Sequence, residues 1–232
     1  MMVGSKQQLS MIFGPMSLLH GSSNIAASDF VEYLGVHLQP DLSFDLHIKE
    51  VIRKLNYQAS ILKNLANYCS KTLLLTYYKA FIQPRIDYGI SVWGCSPAEC
   101  LAKVQRVQNR IARIICNYFD YYNSRGLDLL KELKLYNIVQ RRDYFLSKIM
   151  YESVHGFAPS YLVNDITMVI DMHGYNTRRP DDVYLPSINN PMYERSFLYL
   201  GGKLYNNLPS HIKSASDVND FNKKYFDFVH NC

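Results

Sequence analysis

Several things are scarce in this sequence of 232 residues, and each scarcity removes a class of function. No apolar run reaches the ~18–20 residues needed to cross a bilayer, and the start shows no secretory h-region followed by a small-residue cleavage site. The five cysteines (Cys69, Cys95, Cys100, Cys116, Cys232) are odd in number and scattered. Cys95 and Cys100 form a single pair with four residues between them, which is not zinc-knuckle spacing, and no histidine pattern accompanies it. Free thiols in a reducing compartment follow, so the expectation is a soluble intracellular chain, nuclear or cytoplasmic. Glycine-rich phosphate cradles are missing, since Gly201-Gly202 lacks both the Gly-Lys-Ser/Thr ending and a preceding strand. The seven histidines are dispersed and build no local metal or triad motif. Internal repeats and low-complexity tracts are absent as well.

Cations are plentiful, and they are unevenly placed. Between Lys49 and Lys148 there are 17 Lys and Arg against 7 Asp and Glu, whereas the remainder has 8 against 13. A basic middle with mildly acidic flanks points to nucleic acid, because no segment reads as a lone basic amphipathic membrane anchor. Within that middle, Lys103, Arg106, Arg110 and Arg113 stand three, four and three residues apart. At about 100° per residue they share one stripe of a helix. Val104, Val107, Ile111 and Ile114 repeat the spacing one residue on, so an apolar stripe lies about 100° round. One side can pack while its neighbour presents charge to a polyanion. Lys49, Arg53 and Lys63, on the first long helix, are weaker candidates for phosphate contact. A merely solvated helical face is the plain competing reading.

The periodicity predicts a mainly α fold: a β-hairpin or strand stub at the N-terminus, a thumb-like helical bundle, then a small α+β C-terminal region. Three segments are expected, 1–42, 43–156 and 157–232. The first alternates short apolar runs with Gly4, Gly14, Pro15 and Gly21, and Gly35 marks a bend or a close backbone approach in a strand. Ser43 is the expected N-cap of the first long helix, Ser70 that of the second, and Ser216 that of the last. Pro84 should kink or end the second helix. Ser96-Pro97-Ala98-Glu99 reads as a capping box opening a third helix that runs to Asn117. A short helix near 127–133 and a long one over 138–154 follow. Residues 171–191 have loop character with a strand near 183–185, and 197–206 is an interrupted helix.

Other constellations carry less chemistry. Asp181-Asp182 is the adjacent acid pair, and polymerases hold two metal ions on closely placed carboxylates. Arg178-Arg179-Pro180 precedes it, and Pro does not suit a paired strand, so a solvated turn is expected. Trp93, the single tryptophan, is either a stacking platform for a base or a packing residue between helices, the latter being favoured. Tyr77, Tyr78 and Tyr225 sit on apolar faces and belong to the core.

Four blocks, in order along nearly the whole chain, give a resemblance. They are Tyr33-Leu34-Gly35-Val36 with Asp41-Leu42-Ser43-Phe44 and His47-Ile48; Tyr77 through Gly89 with Val92-Trp93-Gly94; Val104-Gln105-Arg106-Val107-Gln108-Asn109-Arg110-Ile111-Ala112-Arg113; and Asn176-Thr177-Arg178, Arg195-Ser196-Phe197 and Leu204-Tyr205-Asn206-Asn207-Leu208-Pro209. Together they resemble the reverse transcriptases of non-LTR (LINE-type, jockey-like) retrotransposons, with Tyr205 where Trp is usual. The resemblance implies the end of the palm (1–42), the thumb (43–156) and the carboxy-terminal region (157–232) of an RNA-directed DNA polymerase. It implies that the metal-binding palm aspartates and their Mg2+, the fingers and the endonuclease lie ahead of this stretch, the chain beginning near Met1-Met2-Val3-Gly4-Ser5 on the strand after those aspartates. The chain would then hold no cofactor and would not copy RNA alone. Tyr33, Leu34 and Gly35 would form a primer-grip-like hairpin. The cationic helix would lie along an RNA–DNA hybrid or RNA, with no membrane partner. The alternative is a helical protein-interaction module without a nucleic-acid role.

Overall fold

The computed structural model describes residues 17–21, 23–26, 28–118, 126–172, 179–188 and 191–230, with positions 4, 9 and 11. The expected opening strand at Met1-Met2-Val3-Gly4-Ser5, the tyrosine-rich link after Tyr118, Asn176-Thr177-Arg178 and Cys232 lie outside these, apart from Gly4 and Tyr118. The protein is mainly α, with antiparallel hairpins in front, as the periodicity predicts. It divides into two compact units, Met1–Gly89 with Ser96–Phe119, and Ile90–Cys95 with Asp120–Cys232.

In the first unit, β1 (Ser17–His20) pairs with β2 (Ser23–Ala26), and β3 (Val31–Tyr33) with β4 (Val36–Leu38). Tyr33 faces Val36 across the second ladder, so Leu34 and Gly35 form its whole loop. Their φ values are 47° and 74°. Two successive left-handed residues match the right-handed strand twist, which is why Gly35 is suited here, while Leu34 is held against an intrinsic cost of roughly 1–2 kcal/mol. The hold is visible: the Tyr88 hydroxyl donates to the Leu34 carbonyl at 2.6 Å. Of the two readings of Gly35, a bend or a close backbone approach, the bend holds; what lies near it is a side chain, a Cβ there being 3.6 Å from the Tyr88 ring.

Helix α1 (Asp45–Leu65) starts one residue later than a Ser43 cap would give. Phe44 occupies the cap position in left-handed conformation with no side-chain cap bond. Ser43 instead donates its N–H to Asp41 Oδ1, and Gln39 Oε1 accepts the Leu46 N–H at 2.9 Å. The cap is therefore supplied from seven residues upstream. Ser70 does cap α2 (Lys71–Tyr77), accepting from the Leu73 N–H. A π turn (Tyr78–Ile82) then leads into α3 (Gln83–Asp87), with Pro84 in the first turn of that new segment, so regular α-helix is interrupted ahead of the proline. The wider turn accommodates a residue that has no N–H to give and whose ring would crowd the carbonyl four residues back. Next, α4 (Ile90–Trp93) packs in the second unit, before α5 (Ala98–Cys116) returns to the first. The expected Ser96 capping box does not form. Pro97 holds the cap position without a side-chain bond, and Ser96 is buried with its hydroxyl unpartnered. At the other end Asn117 closes α5 in left-handed conformation (φ 50°).

Ile48, Val51, Leu55, Ala59 and Leu62 of α1 meet Leu101, Val104, Ile111 and Ile115 of α5 and Leu74, Tyr78, Ile82 and Ile86 in one core. The apolar periodicity read from the sequence is thus the buried face. Two polar bonds pin it: buried Gln108 donates to the Tyr78 hydroxyl at 2.9 Å, and Tyr77 donates to Gln58 Oε1 at 2.6 Å.

In the second unit, α6 (Gly126–Glu132) precedes α7 (Ile138–Val154), whose bounds agree with the sequence reading. Its Asn137–Gln140 capping box was not anticipated. Short helices α8 (Ser160–Asn164), α9 (Val169–Met172) and α10 (Pro191–Glu194) follow. A single bridge between Met168 and Val183 stands in place of the strand expected near 183–185. The interrupted helix is real: a π turn (Phe197–Gly201) runs into α11 (Gly202–Asn206), and Gly202 lets Leu185 pack close, since a Cβ there would meet Leu185 Cδ2 at 2.8 Å and make that side chain shift. After α12 (Ser210–Lys213), α13 (Val218–His230) is capped by Asp217 rather than Ser216, with Asp217 Oδ1 accepting from the Asn219 and Asp220 N–H groups. Met150, Tyr151, Val183, Tyr205, Ile212, Phe221 and Tyr225 form this unit's core. Helix α7, which falls within the expected middle segment, packs with these C-terminal elements.

Candidate nucleic-acid interface

The four α5 cations fall where the helix arithmetic puts them. Lys103, Arg106 and Arg110 are exposed and Arg113 is half-buried, while Val104, Ile111 and Ile114 beside them are buried. Side chains from α1 fix where the row lies. Asp45 Oδ1 accepts from the Cys100 thiol at 3.2 Å and from Lys103 Nζ at 3.3 Å, and Arg110 donates to Asn56 Oδ1 at 2.8 Å. Moving from Asp45 to Asn56 follows the same direction as moving from Lys103 to Arg110, so the two helices run parallel and the row follows their seam. Lys49, Asn56 and Lys63 are spaced by sevens on α1, which keeps them within about 40° of one another and on the α5 side. Asn56 is the member that the sequence reading missed; its place midway between two lysines was the available signal.

Charge concentrates in this unit. Its two segments carry 12 Lys and Arg against 7 Asp and Glu, and the other unit 13 against 13, so the chain's whole net charge of +5 belongs to the unit that bears the seam. The acid within the seam is Asp45. The Cys100 thiol that donates to it, then Lys103 and Lys49, hold its carboxyl below the usual carboxylate range despite partial burial. Lys103 is therefore partly neutralised, whereas Arg106 and Arg110 form no ion pair among the described residues. Arg53 is differently placed. Its guanidinium binds Glu50 through two contacts of 2.8 Å, and the Glu50 carboxyl is held down at about 2 by that hydrogen bond, with further help from Lys54.

The remaining sequence candidates separate cleanly. Tyr33 and Leu34 are exposed at the hairpin tip with Gly35 between the strands, in the same unit as the seam. Trp93 is fully buried in α4, which packs on α7, so no base can stack on it. Tyr78 and Tyr225 are core residues as expected, and Tyr77 is half-buried.

Comparison with known proteins finds relatives for part of the chain. Over 111 residues the chain is 32% identical to a probable RNA-directed DNA polymerase from transposon X-element of Drosophila melanogaster, a match covering 45% of this chain and 12% of that protein. The chain is similar to transposon RNA-directed DNA polymerases. A second such polymerase, from transposon BS of the same organism, is 30% identical over 115 residues, covering 47% of this chain and 12% of the relative. The chain thus matches only about an eighth of the length of these RNA-directed DNA polymerases. No family model and no solved structure matches it.

Closely placed carboxylates can hold two metal ions, the chemistry that the sequence raises for the Asp181-Asp182 pair. The solvated turn expected for it is only half right. Asp181 is exposed, but Asp182 is buried and pairs with Lys213 Nζ at 2.8 Å. Lys213 also donates to the Asn206 carbonyl at 3.1 Å and lies 5.2 Å from the Tyr205 ring centre. The Asn206 side chain in turn bonds both the N–H and the carbonyl of Val183. Local sequence hid this node because Lys213 is 31 residues away. Among the described residues, no group of three or more His, Cys, Asp or Glu could hold a metal ion, and no helix is long and apolar enough to cross a membrane.

One titration bears on how the hairpin sits on α1. His47 of α1 is buried and its ring lies 6.0 Å from that of His37 on β4, which faces Glu32 of β3 at 4.0 Å. Burial first, then His37 and Lys54, lower the His47 pKa below the ordinary histidine value, with Glu50 pulling the other way. The unfolded chain therefore binds this proton more readily than the folded one. Stability is unaffected well above pH 6.5 and falls as pH drops below it. Urea midpoints at pH 7.5 and 5.5 should show that fall, and His47→Leu should flatten it. An equal slope in the variant would remove His47 as the cause.

Proposed function

We propose that this chain is part of a retrotransposon RNA-directed DNA polymerase, and that the α1/α5 seam grips the backbone of a primer–template duplex, an RNA–DNA hybrid or RNA. In this reading 1–42 closes a palm, 43–156 serves as thumb and 157–232 is the carboxy-terminal region. The polymerising carboxylates with their Mg2+ belong to the rest of the polypeptide, so the chain alone does not copy RNA. The observation that carries the proposal is the row of exposed Lys103, Arg106 and Arg110 with half-buried Arg113, beside buried aliphatic neighbours, in the unit that holds all the net charge. Lys49 extends the row, and Arg53 contributes less because Glu50 already occupies it. Phosphate contacts of this sort fix register without reading sequence. Tyr33, Leu34 and Gly35 at the hairpin tip are proposed to steady the primer strand.

The test is binding to an RNA–DNA hybrid across a salt series. With about four phosphates neutralised, log K should fall with log[salt] at a slope near −3 to −4. Arg106→Ala/Arg110→Ala should weaken binding equally for unrelated sequences and make that slope shallower by about two. Unchanged affinity and slope in a folded double variant would end the proposal.

A further inference from the structure

On the flank of α1 away from α5, the first unit carries a second surface of different chemistry. Tyr57 of α1 is 65% exposed, Phe81 in the π turn 53%, and Leu73 of α2 54%. Half-buried Tyr77 joins them: its ring centre lies 4.8 Å from that of Phe81, and its hydroxyl is fixed by Gln58. Tyr57 and Arg85 both lie near enough to Tyr77 to act on its phenol electrostatically. Arg85 stands beside Phe81, donating from Nε to the Phe81 carbonyl at 3.1 Å. Aromatic side chains are ordinarily buried, and here three rings form an exposed or half-exposed ridge. The π turn accounts for part of this, since the extra residue changes the facing of Phe81 relative to a regular helix.

We propose that this ridge is a base-stacking site for single-stranded nucleic acid, with Tyr57 and Phe81 as the platforms and Arg85 as the flanking cation. Charge selects the occupant. Arg53 and Lys54, one turn before Tyr57, and Arg85 beside Phe81 border the rings, against the single carboxylate of Glu50. A ring-lined surface edged with cations suits flat bases on a phosphate chain; aromatic and arginine side chains also occur in protein interfaces, so docking of a second copy is the competing outcome of the test. Position agrees, because Tyr57 of the ridge follows Asn56 of the seam on α1 and a helix is only about 10–12 Å across. A strand leaving a duplex on the seam can therefore pass round α1 to the ridge. The proposal deepens the duplex-binding reading and rests on it only for that continuity.

The experiment compares the full chain with Tyr57→Ala/Phe81→Ala, both sites being exposed enough to leave the core intact. The probes are a thymidine dodecamer and an abasic dodecamer of equal length, read by fluorescence anisotropy. The unaltered chain should favour the thymidine strand at least about tenfold, and the variant should bind both alike with an unchanged salt slope. Phe81→Trp should keep the preference, and its fluorescence should be quenched by the base-bearing strand. Equal binding of the two probes by the unaltered chain would overturn the proposal. So would a chain whose self-association, measured by sedimentation, is lost in the variant while thymidine affinity is kept; the ridge would then dock a second copy. Normal hybrid binding by Arg106→Ala/Arg110→Ala with loss of the thymidine preference in the ridge variant would refute the seam alone.

Discussion

Asp182→Ala should lower the stability of the protein by about 3–5 kcal/mol. The carboxylate and its partner Lys213 are both largely withdrawn from water, their side chains 12% and 16% exposed. Removing the acid takes away the 2.8 Å partner of the Lys213 ammonium and leaves it the Asn206 carbonyl and the face of the Tyr205 ring. The loss is the cost of that stranded charge, not the worth of the pair, so Asp182→Ala/Lys213→Met should recover most of it. Against a total of roughly 5–15 kcal/mol for a typical domain, the single variant is severely weakened. Urea unfolding followed by far-ultraviolet circular dichroism measures both. A single-variant loss below about 1 kcal/mol would mean that the pair behaves as a solvated surface bridge, and the node would lose its role in holding Val183 to α11 and α12.

The second large effect is expected at Trp93. Its side chain is fully buried in α4, and truncating a buried tryptophan to alanine costs about 3–5 kcal/mol. The neighbourhood leaves little room to adjust. A Cβ on the following residue, Gly94, would collide with the Ile90 carbonyl and stand 3.0 Å from Arg142 Cγ. Trp93→Phe should lose less than Trp93→Ala, because more of the ring volume stays filled. The same pair of variants separates structure from function: hybrid affinity, measured below the unfolding midpoint, should be the same for Trp93→Phe and the unaltered chain. A folded Trp93→Phe protein with weakened binding would return the indole to the list of base contacts.

The parts of the fold legible in the sequence are those set by periodicity alone. The buried faces of α1 and α5 and the bounds of α7 follow from apolar spacing, and the exposure of Lys103, Arg106 and Arg110 follows from the same arithmetic one residue earlier. Capping was less legible, since a Ser before a helix is only one of several acceptors. Gln39 reaches Leu46 from seven residues away, and Asp217 displaces Ser216 at α13 because its carboxylate meets two N–H groups at once. At Pro84 the sequence marks a break in regular α-helix but not its form, a π turn over Tyr78–Ile82 before a new helix opens at Gln83. The seam itself was half visible. Its cations could be counted, but Asn56 and the parallel run of α1 beside α5 depend on contacts more than 50 residues apart. Asp182 was misjudged on the same account, as its partner lies on a distant helix.

The path of the chain has a practical outcome for dissecting it. The hexapeptide Ile90–Cys95 belongs to one unit while the residues on both sides of it belong to the other. Neither unit is therefore a continuous stretch that can be excised intact. A recombinant piece stopping at residue 119 would retain Ile90 and Trp93 but not α7, the helix on which they pack, and would present an indole and an aliphatic side chain to solvent. Such a fragment would be prone to aggregate, so mapping of the seam calls for point substitutions in the unbroken chain rather than deletions.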